Sequence, residues 1–376
     1  MRQKILFVAL SALCVFATAT ILQSYLPTYQ YASVALSNAP AISPTPEDSP
    51  SGPVALFPLA PTKATPATPA HTGNPSEAAP AAGPVQQAPQ SNSSTVDIEA
   101  LNTSVREAVV NVVCQSKNSE SPISASGIII DPRGVILTNA HVAQYLLLRD
   151  SGNIALTCTV RTGSPASVSW NVRILYISSQ WVHAHAEEIR ETHATGTGEN
   201  DYALLQITGR VSGDSLPASF PYLAPDVGSA AAFSGQETIV ASYPAGFLGG
   251  VITLTNLNLV STITKIKDVF TYKNGTHDVI SLGGVILAQS GSSGGAVVSL
   301  AKRLIAVIAT SSTGSQTSDR DLRGITLYHI DQSIQTETGE NLESYLTGDL
   351  TTIANNFSTQ IEPPLIKTLV DALMKP

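Results

Sequence analysis

The sequence predicts an all-β domain that is followed by a helix at its C-terminal end. Short apolar runs, each bounded by Gly, Pro, Asn or Asp, recur between about residues 109 and 329, which is typical of short strands joined by turns. Residues 363–374 differ, because two prolines open a stretch in which apolar residues recur at helical spacing. A chain of 376 residues has room for a leader, a linker and one all-β domain of more than about two hundred residues.

Residues 1–22 read as a signal peptide or a membrane anchor. Basic residues precede an apolar run over residues 5–22, and no acidic residue occurs before Glu47. The sequence Ala17-Thr18-Ala19 offers a cleavage site, whereas the uncleaved run could just span a bilayer with its basic end in the cytoplasm. Either outcome predicts an extracytoplasmic protein of the cell envelope, secreted or held at the membrane by this segment.

Residues 23–95 form a linker rich in Pro, Ala, Ser and Thr. The composition shifts to these residues from about residue 37: residues 61–69, for example, read PTKATPATP, and between residues 37 and 95 bulky apolar residues are almost absent outside residues 54–59. Such a segment cannot bury an apolar core, so it is expected to behave as an extended spacer. We expect it to hold the following domain away from the membrane.

The charge pattern argues against a nucleic-acid partner. Only 13% of the residues are charged, and the net charge is -8. No cluster of basic residues occurs beyond Lys302-Arg303, whereas proteins that bind nucleic acid usually carry a basic patch. A polyanion is therefore not an expected partner.

Three short motifs contain the residue types of a nucleophilic triad. They are Thr138-Asn139-Ala140-His141, Asn200-Asp201-Tyr202-Ala203 and Gln289-Ser290-Gly291-Ser292-Ser293-Gly294-Gly295. A serine hydroxyl is a weak nucleophile at neutral pH, so it needs an imidazole to accept its proton and a carboxylate to orient that imidazole. Ser293, His141 and Asp201 are therefore the candidate nucleophile, general base and orienting carboxylate.

The glycines around Ser293 suit the same chemistry. They allow a tight turn and a close approach of the backbone to a substrate carbonyl. The backbone N–H groups of Gly291 and Ser293 can then converge on the oxyanion of a tetrahedral intermediate. We expect Gly291 to act through this amide in an oxyanion hole.

The three motifs and the apolar runs beside them resemble the trypsin/chymotrypsin clan of serine endopeptidases, and within it most closely the bacterial HtrA-type branch. Framework residues 126–131, 134–142, 201–207 and 291–300 carry the resemblance, which covers about residues 105–335. It implies a chymotrypsin-like fold of two six-stranded antiparallel β-barrels. The protease domain would span residues 96–335, with barrel 1 at about 105–210 and barrel 2 at about 226–335.

The apolar runs divide between the two barrels. Those that suit the first are residues 109–114, 127–130, 135–137, 154–160, 168–176 and 203–207. Those that suit the second are residues 230–233, 238–242, 251–254, 260–266, 279–282, 296–299, 304–310 and 324–329, and residues 96–108 look helical. His141 and Asp201 then belong to the first barrel and Ser293 to the second, with the site in the cleft between them.

The resemblance implies an endopeptidase that cleaves peptides or unfolded proteins through an acyl-enzyme, without a metal or an organic cofactor. The residues that align with the base and the wall of the primary specificity pocket are Leu287, Ala288 and Gln289, and Ala309, Thr310 and Ser311. No aspartate stands at the base, so we expect cleavage after small or medium apolar residues rather than after Lys or Arg. The alternative is a protease-fold binding protein whose triad is catalytically silent.

The chain also departs from the family. Ser292 stands where trypsin-like zymogens have an aspartate that pairs with a new N-terminus, so activation by that ion pair is not expected. Residues 178–199 replace a shorter loop, and a polar, exposed insertion explains their metal-like set of side chains, His183, His185, Glu187, Glu188 and His193. Residues 336–376 are too few for the PDZ module that often follows HtrA-type proteases.

Three features remain as expectations with open alternatives. Cys114 and Cys158 fall on strands of one barrel, so they form a disulfide or two buried free thiols, and we favour free thiols. His329 closes a predicted strand, where packing or a surface position suits it better than catalysis. The C-terminal helix is expected to pack against the second barrel, with docking of a partner as the alternative.

Overall fold

The computed structural model describes residues 96–116, 121–152, 154–191, 197–272, 275–311 and 317–375. The predicted leader over residues 1–22 and the linker over residues 23–95 lie outside these ranges. Helix α1 (Ile98–Ala108) precedes the first strand, as the sequence predicts. Asp97 caps this helix, because its side chain accepts a hydrogen bond of 3.0 Å from the backbone N–H of Ala100.

The first strands close into a barrel. They are β1 (Val109–Ser116), β2 (Ile123–Asp131), β3 (Val135–Thr138), β4 (Leu156–Thr162), β5 (Val168–Ile177) and β6 (Ala203–Arg210). Their order is β1-β2-β3-β6-β5-β4, and β1 also pairs with β4. Alternate residues of β1 enter different apolar clusters, because Val110 and Val112 face the barrel interior whereas Val109 packs between the two sheets. All the runs predicted for this barrel are confirmed as strands.

The remaining strands form a second antiparallel sheet. They are β7 (Glu237–Ser242), β8 (Val260–Lys265), β9 (Asp268–Phe270), β10 (Val279–Gly283), β11 (Ala296–Ser299), β12 (Leu304–Ser311) and β13 (Leu322–Thr326). Their order is β8-β7-β11-β12-β13-β10-β9, so this sheet has seven strands where six were predicted. The predicted all-β, chymotrypsin-like double-barrel class is confirmed, with the second sheet curled rather than closed by strand pairing.

The other helices of the described ranges are short. They are α2 (Ala140–Asp150), α3 (Ser179–His185), α4 (Gly250–Thr255), α5 (Leu327–Thr338), α6 (Leu342–Thr347), α7 (Leu350–Asn356) and α8 (Glu362–Met374). Within the part of the chain that the structure describes, none is long and apolar enough to cross a membrane.

Several strand predictions for the second sheet are wrong. Residues 230–233 make turns, and residues 251–254 belong to α4. The last strand ends at Thr326, because the Thr326 side chain accepts a hydrogen bond of 3.1 Å from the His329 backbone N–H and so caps α5. His329 therefore lies in the first turn of a helix, and the three-residue strand β9 is too short to give a sequence pattern.

Residues 178–199 are not simply an exposed polar loop. Ser178 caps α3, in which Trp181 and Val182 are buried, and a 3₁₀ turn, Ala186–Arg190, follows directly. His183 is exposed, and His185 Nδ1 lies 2.9 Å from Glu188 Oε1. His193 lies outside the described residues, and no group of three or more potential metal-binding side chains occurs among those described.

The C-terminal helix α8 is confirmed, but its predicted packing against the second barrel is wrong. Its residues Leu365, Leu369 and Leu373 are buried in the same apolar cluster as the interior of the first barrel. Helix α8 packs against α2, α3 and the 3₁₀ turn. The physical reason is the insertion, because its buried Trp181 and Ile189 give the first barrel an apolar surface that α8 covers.

The prediction of two free thiols is also wrong, because Cys114 and Cys158 form a disulfide. The register of β1 against β4 places these residues directly opposite each other. This pair of strands closes the barrel, so the two cysteines become neighbours only when the barrel forms.

Candidate active site

His141 and Asp201 contact each other at one end of the first barrel. His141 Nδ1 lies 2.7 Å from Asp201 Oδ2, and the backbone N–H of His141 donates to Asp201 Oδ1 at 2.9 Å. The backbone explains this contact, since Thr138 at the end of β3 pairs with Ala203 at the start of β6. Because a carboxylate only accepts hydrogen bonds, Nδ1 carries the proton and Nε2 remains able to accept one.

Further hydrogen bonds fix both residues. The Asn139 side chain donates to the backbone carbonyl of Asp201 at 2.8 Å, and the Gln144 side chain donates to that of His141 at 2.9 Å. Asn200 adopts a left-handed backbone conformation (φ 60°), and its side chain accepts a hydrogen bond of 2.6 Å from Ser333 on α5. The sequence motifs contained Asn139 and Asn200 without indicating these roles, and nothing in the sequence points to Ser333.

The electrostatic surroundings raise the pKa of His141. Burial alone would lower this pKa, but the negative charge of Asp201 and its hydrogen bond to the ring outweigh that effect. The Asp201 side chain is itself almost fully buried, which strengthens the interaction between the two groups. Asp201 therefore both orients the His141 imidazole and stabilises its protonated form.

Ser293 lies on the turn before β11, between glycines that this turn requires. Gly291 and Gly294 both have positive φ, 91° and 83°. A Cβ atom on Gly294 would collide with the Ser126 carbonyl oxygen and lie 2.6 Å from Thr138 Oγ1. The turn thus packs directly on the first barrel, beside the strand end that leads to His141.

The Ser293 hydroxyl donates a long hydrogen bond of 3.5 Å to the carbonyl of Ala309 on β12. In the described part of the chain, no hydrogen bond joins this hydroxyl to His141. The structure therefore brings His141 and Asp201 into direct contact, and it attaches the Ser293 turn to the first barrel through a hydrogen bond of 2.7 Å from Ser126 N–H to Ser293 O. Hydrogen bonds of this kind are often long or absent until substrate binds.

Ser126 organises the backbone beside Ser293, a role that sequence reasoning missed. Its buried hydroxyl donates to the Gly291 carbonyl at 2.8 Å and accepts from the Tyr243 backbone N–H at 2.8 Å. The Ser292 N–H donates to the Gln289 carbonyl at 3.2 Å. By contrast, the N–H groups of Gly291 and Ser293 donate to no acceptor among the described residues.

The residues predicted for the specificity pocket differ in exposure. Leu287 and Ala288 are fully buried in an apolar cluster that also contains Ile308 of the second sheet. Gln289 is half-buried, and its side chain donates to the Ile286 carbonyl at 2.7 Å. Ala309 is buried beside Ser293, whereas Thr310 and Ser311 are the last residues of β12, and only their backbone is described.

The middle of the chain is similar to a known family. Residues 125–307 match the trypsin-like peptidase domain family. These residues are therefore similar to trypsin-like peptidase domains. The matched residues include His141, Asp201 and Ser293, and the match confirms the resemblance to trypsin-like peptidases that the motifs predicted.

The chain is also similar to solved structures. One is a crystal structure of Deg5, with 17% identity and a TM-score of 0.42 over 66% of this chain and 94% of that one. A second is the HtrA-type protease AlgW with a tripeptide, with 18% identity, a TM-score of 0.41 and 65% of each chain covered. A third is an inactive serine-to-alanine form of Rv3671c from M. tuberculosis, with 16% identity, a TM-score of 0.38 and coverage of 64% and 90%. No curated protein matches the chain.

Proposed function

We propose that this protein is a serine endopeptidase in which Ser293, His141 and Asp201 act as nucleophile, general base and orienting carboxylate. The observation that carries the proposal is the His141–Asp201 pair, in which both carboxylate oxygens engage His141, at 2.9 and 2.7 Å. A peptidase of this type needs that imidazole in one tautomer, with Nε2 facing the nucleophile.

The reaction would begin when the Ser293 hydroxyl turns away from the Ala309 carbonyl toward His141. Oγ attacks the peptide carbonyl carbon, and its proton moves to His141 Nε2. When the tetrahedral intermediate collapses, the C–N bond breaks and His141 returns the proton to the leaving amine. Water then hydrolyses the acyl-enzyme by the same two proton transfers.

The oxyanion of each tetrahedral intermediate would be bound by the backbone N–H groups of Gly291 and Ser293. Two features support this role: neither amide has an acceptor among the described residues, and the Ala245 N–H donates at 2.8 Å to the Ser290 carbonyl, which shares its peptide unit with the Gly291 N–H. Removing one such donor typically costs about 3–4 kcal/mol of transition-state stabilisation. The route uses only groups of the polypeptide, so we expect no metal or organic cofactor.

We further expect cleavage after small or medium apolar residues, in peptides or unfolded proteins. Leu287 and Ala288 offer no charge to pair with a substrate Lys or Arg, and burying an unpaired cation costs several kcal/mol, on the order of 3–5. Thr310 and Ser311 pair with β13 on one side and lie beyond the residues of β12 that pair with β11, so their other side would pair with the substrate backbone. A peptide library tests this expectation, because dominant cleavage after Lys or Arg would contradict the pocket assignment.

An extracytoplasmic location is part of the proposal. The Cys114–Cys158 disulfide supports it, since such bonds persist in oxidising compartments and are rare in the cytosol. The N-terminal sequence over residues 1–22 has the character of an export signal or anchor. Fractionation of expressing cells, combined with thiol labelling before and after reduction, would contradict this location if the protein were cytosolic with both thiols free.

A fluorophosphonate probe tests the catalytic proposal directly, because labelling requires an activated serine. We expect covalent modification at Ser293, identified by mass spectrometry, together with peptide hydrolysis that Ser293→Ala lowers by about six decades. Ser292→Ala is the matched control, since it removes only the hydrogen bond of 3.0 Å from Ser242 and should cost about tenfold at most. A chain that neither labels nor hydrolyses peptides would instead be the silent, protease-fold binding protein.

A further inference from the structure

Arg161 is a buried cation in the wall of the first barrel. It lies on β4, and only 5% of its surface is exposed. The hydrogen bonds that its guanidinium makes to described residues all go to neutral oxygen atoms. Burial lowers the pKa of Arg161, which reflects the free energy needed to keep a charge there. The free energy needed to bury this charge must be offset by the hydrogen bonds that the guanidinium makes.

Two of the groups that accept these hydrogen bonds are backbone carbonyls that belong to the second half of the molecule. Arg161 Nη1 donates to the Leu254 carbonyl at 2.6 Å, and Nη2 donates to the Thr253 carbonyl at 2.9 Å. Both carbonyls lie in the last turn of α4, where a cation also interacts favourably with the helix dipole. The guanidinium thus joins a strand of the first barrel to a helix that follows β7 of the second sheet.

Arg161 is preorganised for this contact. Asn111 Oδ1 accepts from Arg161 Nε at 2.9 Å and from Nη2 at 2.6 Å. The amide nitrogen of Asn111 donates in turn to the Ala125 carbonyl at 2.7 Å and to Ser124 Oγ at 3.0 Å. Asn111 and Arg161 are paired across β1 and β4, so the whole arrangement rests on the closed barrel.

Little of helix α4 itself is buried. It has six residues, and an isolated helix of that length is not stable in water. Val251 is 73% exposed and Ile252 48%, which leaves Thr253 as the buried residue of this helix. The chain is also anchored just after α4, where Leu257 is buried and its carbonyl accepts a hydrogen bond of 2.8 Å from the Ala166 N–H, but within the helix itself the bonds from Arg161 are a major tether.

The segment that leads into α4 touches the oxyanion turn. The Ala245 N–H donates to the Ser290 carbonyl at 2.8 Å. A Cβ atom on Gly291 would lie 2.6 Å from the Tyr243 carbonyl oxygen and 2.7 Å from the Ala245 nitrogen, so these backbones are in close contact. Between this contact and α4 the chain has Gly246 and Gly249, and α4 begins with Gly250, so the connection has few side chains to restrict its backbone.

We propose that Arg161 is a positioning residue that, by anchoring α4, holds the segment 243–249 against Ser290 and Gly291 and so keeps the Gly291 amide oriented for the oxyanion. The proposal rests on the proposed function, since it assigns that amide to the reaction. Arg161 lies in the first barrel and contacts α4 rather than the turn itself, so its effect is transmitted through the backbone of this segment.

The test is Arg161→Met, which keeps an apolar stem in the barrel and removes the guanidinium. We expect kcat to fall by about tenfold to a hundredfold while KM changes by less than about threefold, because the Gly291 amide serves the transition state more than the bound substrate. The rate constant for labelling by the fluorophosphonate should fall with kcat. Hydrogen exchange should become faster over residues 244–256 and 289–293.

Arg173→Met is the matched control. Arg173 lies on β5 of the same barrel, and its guanidinium donates to Gln206 Oε1 at 2.9 and 2.8 Å, much as Arg161 binds Asn111, but it makes no hydrogen bond to α4. The control should keep the kcat and the exchange pattern of the unmodified protein even if its stability falls. If Arg161→Met does not fold, Arg161→Lys replaces it, because Lys keeps the charge but cannot bind both carbonyls and Asn111 together.

Two results would overturn the proposal: an unchanged kcat in the Arg161 variant, or the same loss of kcat in both variants. If the unmodified protein is not labelled by the fluorophosphonate and does not cleave peptides, the proposed function fails. Hydrogen exchange then tests the anchoring of segment 243–249 by itself. Faster exchange over residues 289–293 in the Arg161 variant, and not in the Arg173 variant, would still establish the anchoring, whereas unchanged exchange would refute it.

Discussion

The two halves of the domain hold their parts of the candidate site in different ways. The closed barrel presents His141 and Asp201 through side-chain hydrogen bonds made within that barrel, at 2.7 and 2.9 Å. The second sheet presents Ser293 on a glycine turn, and the carbonyls of this turn accept hydrogen bonds from the backbone N–H and the hydroxyl of Ser126 in the first barrel. The base and its carboxylate are therefore assembled by one half, whereas the nucleophile turn depends on how the halves dock.

The largest loss of activity is expected from a substitution of Asp201, which belongs to the half that assembles the base. Asp201→Asn should lower turnover by about four decades near neutral pH, because an amide favours the wrong tautomer of His141 and cannot stabilise the imidazolium. Peptide hydrolysis measures this loss. Glu199→Gln is the control, as it changes a nearby carboxylate that makes no hydrogen bond to His141 in the described structure. Equal activity in Asp201→Asn and the unmodified protein would mean that another carboxylate serves His141.

The disulfide tests how far the closed barrel depends on its covalent link. Cys114 and Cys158 close a loop with a sequence separation of 44, so replacing both with Ala should lower the free energy of unfolding by about 4 kcal/mol. Urea unfolding followed by tryptophan fluorescence measures this, and Trp170 and Trp181 both report on the first barrel and its insertion. The natural protein with its disulfide reduced is the control, and it should unfold at the same urea concentration as the double variant. Unchanged stability would show that strand pairing alone holds the barrel closed.

The docking of the two halves can be tested at Gly294. Gly294→Ala introduces a Cβ against the Ser126 backbone and a positive φ on a non-glycine residue, so we expect a loss of about 2–4 kcal/mol of stability together with most of the activity. Gly213→Ala is the matched control, because Gly213 has a similar φ of 87° with nothing near its Cβ position, and it should lose only about 1–2 kcal/mol. Equal effects of the two variants would show that backbone strain, rather than contact with the first barrel, sets the cost.

The smallest expected effect is a shift in the pH profile. His141 must be neutral to act as a base, so kcat/KM should fall as the pH drops through its raised pKa, with a midpoint above about 6.5. In Asp201→Asn only the effect of burial remains, so the midpoint of the residual activity should move below that of the unmodified protein. For stability the sign is reversed, because the raised pKa contributes free energy that is fully present below about pH 6.5 and is lost as pH rises through the folded-state pKa. Identical profiles would mean that His141 is not the titrating base.

The site residues that the sequence indicated are those whose own chemistry is distinctive. A serine between glycines, with His and Asp motifs before it, identified Ser293, His141 and Asp201 as candidates. Ser126, Asn139 and Ser333 were not predicted as parts of the site, because each is an ordinary polar residue until the fold brings a partner to it. Their function lies in contacts between residues far apart in the chain, and such contacts leave no local pattern.

The sequence by itself determined the strands of the first barrel, the two terminal helices of the described part and the order of the three motifs. These depend on apolar periodicity, turn residues and helix caps, which act between near neighbours. Only the tertiary structure decided that Cys114 meets Cys158, that residues 251–254 form a helix held by Arg161, and that α8 covers the first barrel. The physical reason is that each of these results depends on surfaces that exist only after distant segments have packed.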